Sequence, residues 1–402
     1  MSGCGSDQVL LSVDEALARV MAAATPLGTE TLSLAAARNR VLAADTHTQH
    51  PLPLFTQSAV DGYAVRQADL AALPARLPLA APIAARAQAT QPVLRPGMAA
   101  RILTGGLLPL GADTVVRQER TARNGEAVIV LEAVATGTDI REQGEEMPQG
   151  APVAAAGTCI TPGLVGALAL AGVSEVRVFK LPRIVVLVSG DEVVRDGSAL
   201  QLGQVPDANG PLLQAHLCGW GLPPLRIEAV ADTREAVSAA MARAFADADL
   251  VLTTGGVSVG DHDYIPSVAE SLGAERLFWK VAQKPGMPLY VARHRGALLF
   301  GLPGNPASVL VNLMVYVRAA LDSLQGLEAA RRWQRLRLPS GLKRDAQKTL
   351  WLRGVMTADD EGRVTIRTLG GQASHMLGNL AEADALLRVD PSGDLGCWAS
   401  LR

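Results

Sequence analysis

Four short segments of the sequence combine acidic, basic, glycine and helix-capping residues, and each follows apolar residues. These segments are Ser189–Glu192, Thr253–Asp263, Lys280–Pro288 and Gly301–Ser308. Three of them come directly after apolar runs typical of buried strands, at Ile184–Val188, Leu250–Leu252 and Ala297–Phe300. In an open parallel sheet, ligands bind beyond the carboxyl ends of the strands. We therefore expect one pocket to collect all four segments.

The residue types in these segments suit a phosphate-bearing ligand. Gly255 and Gly256 allow backbone N–H groups to approach an anion closely, and a helix that begins near Asn305 adds its positive dipole end. Lys280 and Lys284 supply positive charge. Each feature alone has an ordinary explanation, because Gly-Gly pairs make tight turns, lysines form solvated surfaces and Asn-Pro caps helices. Their conjunction in one sheet indicates an anion site.

Two carboxylates, Glu192 and Asp263, accompany these groups. They would repel a phosphate unless a hard divalent cation lay between them. Mg²⁺ held by one or two carboxylates and by substrate oxygens meets that need. The residues therefore predict Mg²⁺ together with the phosphate-bearing ligand.

Other catalytic patterns are weaker or missing. Gly256–Gly260 matches the G-x-S-x-G pattern of a nucleophile elbow, with Ser258 at its centre, but spacing alone assigns no acid and no His to it. Acyl transfer stays open as a less favoured alternative. The sequence has no P-loop motif, no G-x-G-x-x-G and no H-E-x-x-H or Cys/His zinc spacing.

Composition limits the class of protein. The chain has 402 residues, of which 49% are hydrophobic and 19% charged, so it is long enough for roughly two to four domains. A net charge of -2 and only 3% aromatic residues argue against nucleic-acid binding. No signal peptide is visible, and the longest apolar run, Gly163–Val173, is shorter than the ~20 residues of a spanning helix. We predict a cytoplasmic protein with no nucleic-acid or membrane partner.

Hydrophobic periodicity divides the chain into regions of different texture. A helical pattern lies between Leu10 and Leu27, with Ser12 as its N-cap. From Leu32 to Val178, short runs broken by Pro and Gly are typical of strands and turns. Strand runs then alternate with helical patterns, and a long helix follows Asn305. The predicted fold is multidomain α/β plus β: a central α/β domain with a parallel-rich sheet, Pro/Gly-rich β domains N-terminal to it and a small C-terminal β domain.

Several motifs in a fixed order resemble the molybdopterin molybdenumtransferases, the MoeA family. They lie at Ser58–Ala64, Arg101–Gly106, Arg141–Glu146, Ser189–Glu192, Thr254–Tyr264, Lys284–Pro288, Gly301–Pro306 and Gly371–Ser374. Any one of them is a weak signal, but the ordered set is specific. The resemblance runs from the first helix to Ser374.

The resemblance implies an elongated, dimeric protein with four domains. The central α/β domain would be similar to the molybdopterin-binding fold, with the N-terminal helix packed on it. The implied domains are 7–26 with 179–327 (α/β), 27–49 with 144–178 (elongated, β-rich), 50–143 (inserted, β-rich, carrying Asp61 and Thr104) and 328–402 (C-terminal β).

The resemblance also implies the last step of molybdenum cofactor synthesis. Adenylylated molybdopterin would bind with molybdate as co-substrate, and Mg²⁺ would assist the release of AMP as molybdate enters the dithiolene. The expected partners are these two substrates, a second copy of the chain, the molybdopterin adenylyltransferase and the enzymes that receive the cofactor.

Residue roles follow from the matching motifs. Glu192 and Asp263 would hold Mg²⁺, while Lys280 and Lys284 would neutralise phosphate or molybdate. The other implied catalytic residues are Asp61 and Thr104, contributed across the dimer, and Asp232. The implied substrate-binding residues are Gly255, Gly256, Ser258, Pro303, Asn305, Pro306, Ser308, Arg353 and Ser374. From the residues alone, Asp61-Gly62 is an ordinary turn pair.

The sequence departs from the family pattern at four places. Glu146 stands where the family has Asp, Ala208 where Ser is common, Met287 where Lys is frequent, and Ala383-Asp384-Ala385 in place of Ala-Asn-Gly. These changes bear on ligand affinity more than on the fold. Two alternatives therefore stay open: an adenylyltransferase acting one step earlier, because Thr254–Asp261 also resembles that related domain, and a relative that binds the pterin without catalysis.

Overall fold

The computed structural model describes residues 10–83, 90–195, 197–257, 263–328, 333–338, 341–358, 360–393 and 395–401. The chain forms two compact units. Unit 1 comprises Met1–Glu30, Asn39–Ala43 and Val178–Arg402, and unit 2 comprises Thr31–Arg38 and Ala44–Arg177.

The helices and strands are numbered in chain order. The helices are α1 (Val13–Ala23), α2 (Pro162–Leu170), α3 (Asn209–Gly219), α4 (Arg234–Asp247), α5 (Ile265–Ser271), α6 (Pro306–Asn312) and α7 (Arg318–Leu324), with a π-helical segment, Leu313–Val317, between α6 and α7. The strands are β1 (Thr29–Ser33), β2 (Thr46–His47), β3 (Gln57–Ser58), β4 (Gly62–Val65), β5 (Ala75–Ile83), β6 (Ala99–Ile102), β7 (Thr114–Arg117), β8 (Thr121–Asn124), β9 (Ala127–Val130), β10 (Ile140–Arg141), β11 (Pro152–Ala154), β12 (Glu175–Phe179), β13 (Ile184–Ser189), β14 (Val193–Val194), β15 (Val205–Pro206), β16 (Arg226–Val230), β17 (Leu250–Thr254), β18 (Glu275–Trp279), β19 (Gln283–Lys284), β20 (Tyr290–His294), β21 (Ala297–Leu302), β22 (Gln334–Arg337), β23 (Thr349–Ala358), β24 (Val364–Thr368), β25 (Ala385–Val389) and β26 (Leu395–Ser400).

Unit 1 is built around a six-stranded sheet in the order β16-β13-β17-β21-β20-β18. The first four strands are parallel, whereas β20 runs antiparallel to both β21 and β18. The side chains of β13 alternate between two cores: Val186 packs with α1, α3 and α6, and Val185 packs with α4 and α5. Helices on both faces explain why these strands read as continuous apolar runs in the sequence.

Helix α1 begins where the sequence predicts. Ser12 is the N-cap, its side-chain oxygen accepting from the Glu15 N–H at 3.2 Å, while the Glu15 carboxylate accepts from the Ser12 N–H at 2.8 Å. This reciprocal capping box satisfies two N–H groups that the helix itself leaves free. Val13, Ala16 and Val20 then form the buried face against the central sheet.

Among the described residues, one helical stretch longer than the apolar run Gly163–Val173 stands out, at Pro306–Leu324. It is 19 residues long and meets the length and composition of a membrane-spanning helix, yet 94% of its most apolar window is buried inside the protein. Arg318 and Asp322 interrupt its apolar sequence and pair with each other at 3.1 Å. Packing in the core of unit 1 accounts for its apolar character.

A second sheet of unit 1 has the order β19-β23-β25-β26-β22, with β24 paired to β23. Its edge strand β19 belongs to the segment that follows β18 of the central sheet, so Lys284 lies in a strand parallel to β23. Ile366, Leu387 and Trp398 are buried in the core of this second sheet.

Unit 2 contains a six-stranded sheet in the order β7-β4-β6-β5-β9-β8, the antiparallel pairs β3–β10 and β2–β11, and helix α2. The turn that includes Gly125 joins β8 to β9 in an antiparallel hairpin. The Pro/Gly-rich part of the sequence thus folds mainly into strands and turns, together with helix α2. The predicted fold class is confirmed, while the division into four domains stays a prediction.

Candidate functional site

The carboxyl ends of the central strands border a cavity of about 630 Å³. Its wall includes turns that follow β13, β16, β17 and β21. Three predicted carboxylates, Glu192, Asp232 and Asp263, lie in this wall, and we call them the carboxylate wall. Three of the four segments expected to meet in one pocket do so, since Gly255, Gly256, Gly304 and Asn305 also line the cavity.

The turns after β13 and β16 hold each other through their aspartates. The Asp191 N–H donates to Asp232 Oδ2 at 3.2 Å, and the Asp232 N–H donates to Asp191 Oδ1 at 3.1 Å. Burial raises the pKa of Asp232, and the negative charges of Asp191 and Glu192 raise it further. The carboxylate wall is therefore a place where negative charge is costly and a cation is favoured.

Gly255 and Gly256 form the turn after β17 for a steric reason. Their φ angles are +84° and +64°. A Cβ atom on Gly255 would lie 2.9 Å from Ser189 Oγ, and one on Gly256 would lie 3.0 Å from a side-chain carbon of Ile265. Glycine here lets the backbone approach the cavity while the adjoining turns pack closely. Ser258 lies outside the described residues.

Asn209 also lines the cavity, next to the departure from the family pattern at Ala208. Its Nδ2 donates to the Gly304 carbonyl at 2.8 Å, which ties the start of α3 to the turn after β21. Its Oδ1 is buried with no hydrogen-bond partner among the described residues. Position at a helix start beyond a strand was the only signal in the sequence that could have found it.

The second sheet contributes one loop to the cavity. His375 and Leu377 line it, and Ser374 Oγ accepts from Asn305 Nδ2 at 3.3 Å. The predicted capping role of Asn305 is only half right, because its side chain makes no bond to the backbone of α6 and reaches Ser374 instead. His375 was another residue that spacing could not assign.

Arg353 holds this loop in place. Its guanidinium donates to the carbonyl oxygens of Met376 at 2.8 Å, Gly371 at 2.7 Å and Ala373 at 3.3 Å. The side chain is buried, and burial lowers its pKa from the ordinary value. The structure thus gives Arg353 a role in shaping the loop, and it does not line the cavity.

Four other predicted residues also lie away from the cavity wall. Pro303 is buried just before α6, and Ser308 is buried within α6. Neither these two residues nor Lys280 and Lys284 line the cavity. The expectation that one pocket collects all four segments is therefore wrong for the lysine segment. The reason is topological: β18 is two strands from β21 in the sheet, a lateral step of roughly 10 Å at the usual strand spacing.

Lys280 nevertheless has a defined conformation at the same sheet edge. Its φ is +71°, in the left-handed region that ordinary residues avoid, and its ammonium group lies 5.0 Å from the centre of the Trp279 ring. The Trp279 indole N–H donates to the Val257 carbonyl at 3.0 Å. Backbone strain of this kind is typical of functional positions.

Asp61 and Thr104 lie together in unit 2. The backbone N–H and the hydroxyl of Thr104 both donate to Asp61 Oδ1, each at 2.8 Å. These bonds lower the pKa of the exposed Asp61 carboxyl, with a smaller contribution from Arg101. Thr104 therefore fixes Asp61 as an ionised carboxylate immediately before β4.

The donor set at the carboxylate wall fits Mg²⁺ as a partly substrate-held ion. In the part of the chain that the structure describes, no three His, Cys, Asp or Glu side chains are grouped to hold a metal by themselves. Mg²⁺ commonly uses one or two carboxylates and takes its other oxygens from substrate and water. Glu192 and Asp263 offer oxygen donors of that kind, and beside them the pKa of Asp232 is raised by burial first and by the charges of Asp191 and Glu192 to a smaller extent.

Fold and site together define an enzyme with a molybdopterin-binding type of α/β domain. Three family models match the chain in order: the MoeA N-terminal region (domain I and II) at 11–172, the probable molybdopterin binding domain at 185–323, and the MoeA C-terminal region (domain IV) at 335–394. Together they cover most of the sequence.

Curated relatives and solved structures agree with this class. The molybdopterin molybdenumtransferase of a Nostoc species is 34% identical over 91% of this chain and 86% of its own length, and that of Bacillus subtilis is 32% identical over 96% and 91%. The crystal structure of the molybdopterin biosynthesis moeA protein from Pyrococcus horikoshii OT3 has a TM-score of 0.81 and 25% identity, covering 98% of this chain and 100% of that one. The chain belongs to the molybdopterin molybdenumtransferase (MoeA) family, enzymes of molybdenum cofactor biosynthesis.

Proposed function

We propose that this enzyme inserts molybdate into adenylylated molybdopterin in the cytoplasm, with Mg²⁺-assisted release of AMP. The observation that carries the proposal is the carboxylate wall beside the glycine turn, at the carboxyl ends of the parallel strands. A phosphate group would approach the backbone of Gly255 and Gly256, which line the same cavity as Asp232 and Glu192.

The residues of the chain divide the work of binding and charge control. Glu192 and Asp263 would hold Mg²⁺, which when bound would neutralise phosphate charge and polarise the bond to AMP. Asn209 Oδ1 is available to accept from an N–H group of the ligand. Lys280, which follows β18 of the central sheet, and Lys284, in β19 of the second sheet, would attract the incoming molybdate.

The loop from the second sheet would close one side of the site. Arg353 donates to backbone carbonyl groups on both sides of Ser374 and His375, so the loop that carries these two residues is preorganised. Ser258 and Ser308 are proposed substrate contacts from the family motif.

Asp61 and Thr104 would complete the site as residues of a second copy in a homodimer. Mixing inactive Asp61→Asn and Asp263→Asn proteins should then restore part of the activity.

The test is AMP release from adenylylated molybdopterin, measured with and without molybdate and Mg²⁺. We expect molybdate-dependent release by the native protein and a loss of about 100-fold or more in Asp263→Asn, because one oxygen ligand charge is removed from the metal site. Glu235→Gln is the matched control, since Glu235 is an exposed carboxylate of α4 that does not line the cavity.

Two results would overturn the proposal. Tight pterin binding with no AMP release by the native protein would identify a non-catalytic relative. Release of pyrophosphate from ATP on addition of molybdopterin would instead identify the adenylyltransferase step. Equal rates for Asp263→Asn and native protein would remove Asp263 from the site.

A further inference from the structure

Unit 2 has a cavity of its own, of about 770 Å³, to which no role has been given above. It opens where β5 changes partners. Residues Ala75–Pro78 of β5 pair antiparallel with β9, and from Leu79 onward β5 pairs in parallel with β6. The cavity is lined from β5, from β6 and from the turn between β8 and β9, and we call it the cleft.

Three arginines from three different strands line this cleft. They are Arg76 of β5, Arg101 of β6 and Arg123 of β8. Glu126 is the single acidic residue among the described residues that line it. Pro78, Leu79 and Pro82 supply an apolar wall beside the charges. Asp61 and Thr104 are not among the lining residues, so the cleft is distinct from that pair.

The three cations differ in how they are held. Arg101 is fixed, because it donates to the Gly62 carbonyl at 2.9 Å and to Gln118 Oε1 at 2.6 Å, and its guanidinium lies 5.3 Å from the centre of the Tyr63 ring. Arg76 and Arg123 are exposed and have no hydrogen-bond or ion-pair partner among the described residues. One anchored cation with two free ones can close around an anion, and guanidinium groups bind phosphate oxygens in a bidentate manner.

We propose that this cleft is a binding site for a small phosphate-bearing molecule with an apolar portion. The phosphate contacts Arg76, Arg101 and Arg123, and the apolar portion lies against Leu79 and the two prolines. The volume is in the range of cavities that hold a whole small ligand. The proposal does not depend on the molybdate reaction, because every lining residue belongs to unit 2.

Calorimetric titration of the full chain with phenyl phosphate, inorganic pyrophosphate and phenol tests the proposal. We expect phenyl phosphate to bind more tightly than phenol, and Arg76→Ala/Arg123→Ala to raise its Kd about tenfold or more, because two charge-assisted contacts are lost. These arginines are exposed and form no side-chain hydrogen bond or ion pair among the described residues, so the variant should fold normally. Pyrophosphate binding as strong as that of phenyl phosphate would mean that the cleft takes a free phosphate and would overturn the apolar part of the proposal.

Two matched variants complete the experiment. Arg38→Ala/Arg95→Ala removes the same charge from exposed positions of unit 2 outside the cleft and should leave the Kd unchanged within about twofold. Lys280→Ala/Lys284→Ala removes two cations of unit 1 and should retain the binding of phenyl phosphate. An equal Kd for native and Arg76→Ala/Arg123→Ala proteins, or a loss in the unit 1 variant alone, would overturn the cleft as a site whatever the outcome for AMP release.

Discussion

Two clusters of polar groups in unit 1 differ in how their hydrogen-bonding capacity is used. The first, which we call the Gln283 cluster, consists of Gln283, Asn312, Tyr316 and Trp351, all at most 2% exposed. Gln283 Oε1 accepts from the Tyr316 hydroxyl at 2.8 Å and from the Trp351 indole at 2.9 Å. Gln283 Nε2 donates to the Gly286 carbonyl at 2.8 Å and to Asn312 Oδ1 at 2.7 Å. The amide of Gln283 therefore has every donor and acceptor satisfied.

The carboxylate wall is arranged in the opposite way. Its members carry charges of one sign, and the Asn209 oxygen nearby is buried without a partner in the described structure. The Gln283 cluster joins the α6 region to β19 and β23 and so stabilises the fold, whereas the carboxylate wall costs stability until a cation or ligand arrives. Buried polar groups whose hydrogen bonds are all formed thus stabilise the fold, whereas groups at strand ends that lack partners indicate the binding site.

The largest effect on stability should come from breaking the Gln283 cluster. Gln283→Leu would leave the Tyr316 hydroxyl, the Trp351 indole N–H and Asn312 Oδ1 buried without their present partner, at about 3–5 kcal/mol in total. Denaturant unfolding followed by tryptophan fluorescence measures this loss in unit 1, because all five tryptophans lie there. The exposed Gln201→Leu serves as the control, with a change below about 0.5 kcal/mol. A loss under about 1 kcal/mol in Gln283→Leu would show that the cluster is not a structural joint.

Sequence reasoning found the central sheet because burial on both faces leaves continuous apolar runs. It placed Glu192, Asp263 and the glycine turn beside one cavity because the carboxyl ends of parallel strands share one edge, whereas Asp232 came only from the family resemblance. It misplaced Lys280 and Lys284 because strand order and the antiparallel direction of β20 are set by long-range pairing, which periodicity does not encode.

For a related reason the pattern of residues alone revealed neither the Gln283 cluster nor the contact of Ser374 with Asn305. Gln283 and Trp351 are 68 positions apart, and Asn305 and Ser374 are 69 apart. A lone Gln or Ser has no local pattern that announces a buried or bridging partner. Only the family motif pointed to Ser374, and nothing in the chain pointed to Gln283.

A substitution in the carboxylate wall, Asp232→Asn, should change stability less than Gln283→Leu and in the opposite direction, by making the protein more stable. The folded pKa of Asp232 lies above the value near 3.9 of an unfolded chain, so the folded state holds its proton more strongly. Stability from this group is therefore present at low pH and lost as the pH rises through the folded pKa. Asp232→Asn removes that loss and keeps an oxygen that can accept from the Asp191 N–H.

Thermal unfolding without added metal measures this change as a function of pH. We expect the midpoint of Asp232→Asn to exceed that of the native protein by about 1–2 °C at pH 7, and the difference to vanish near pH 3, where the carboxyl is protonated in both states. Asp247→Asn, an exposed carboxylate paired with Arg226, is the control and should not raise the midpoint. A lower midpoint for Asp232→Asn at pH 7 would place Asp232 with the stabilising groups and weaken the contrast between the two clusters.

The smallest stability effect should come from Ser374→Ala. Its bond to Asn305 is long, at 3.3 Å, and not buried, so its loss should change the free energy of unfolding by less than about 0.5 kcal/mol. The same substitution should raise the KM for molybdate severalfold, because the bond holds the loop against the cavity. Steady-state kinetics and denaturant unfolding of the one variant separate these effects. A loss above about 1 kcal/mol with an unchanged KM would make the Asn305–Ser374 contact a structural bond like those of Gln283. A bond that positions the loop for the ligand should affect KM more than it affects the free energy of unfolding.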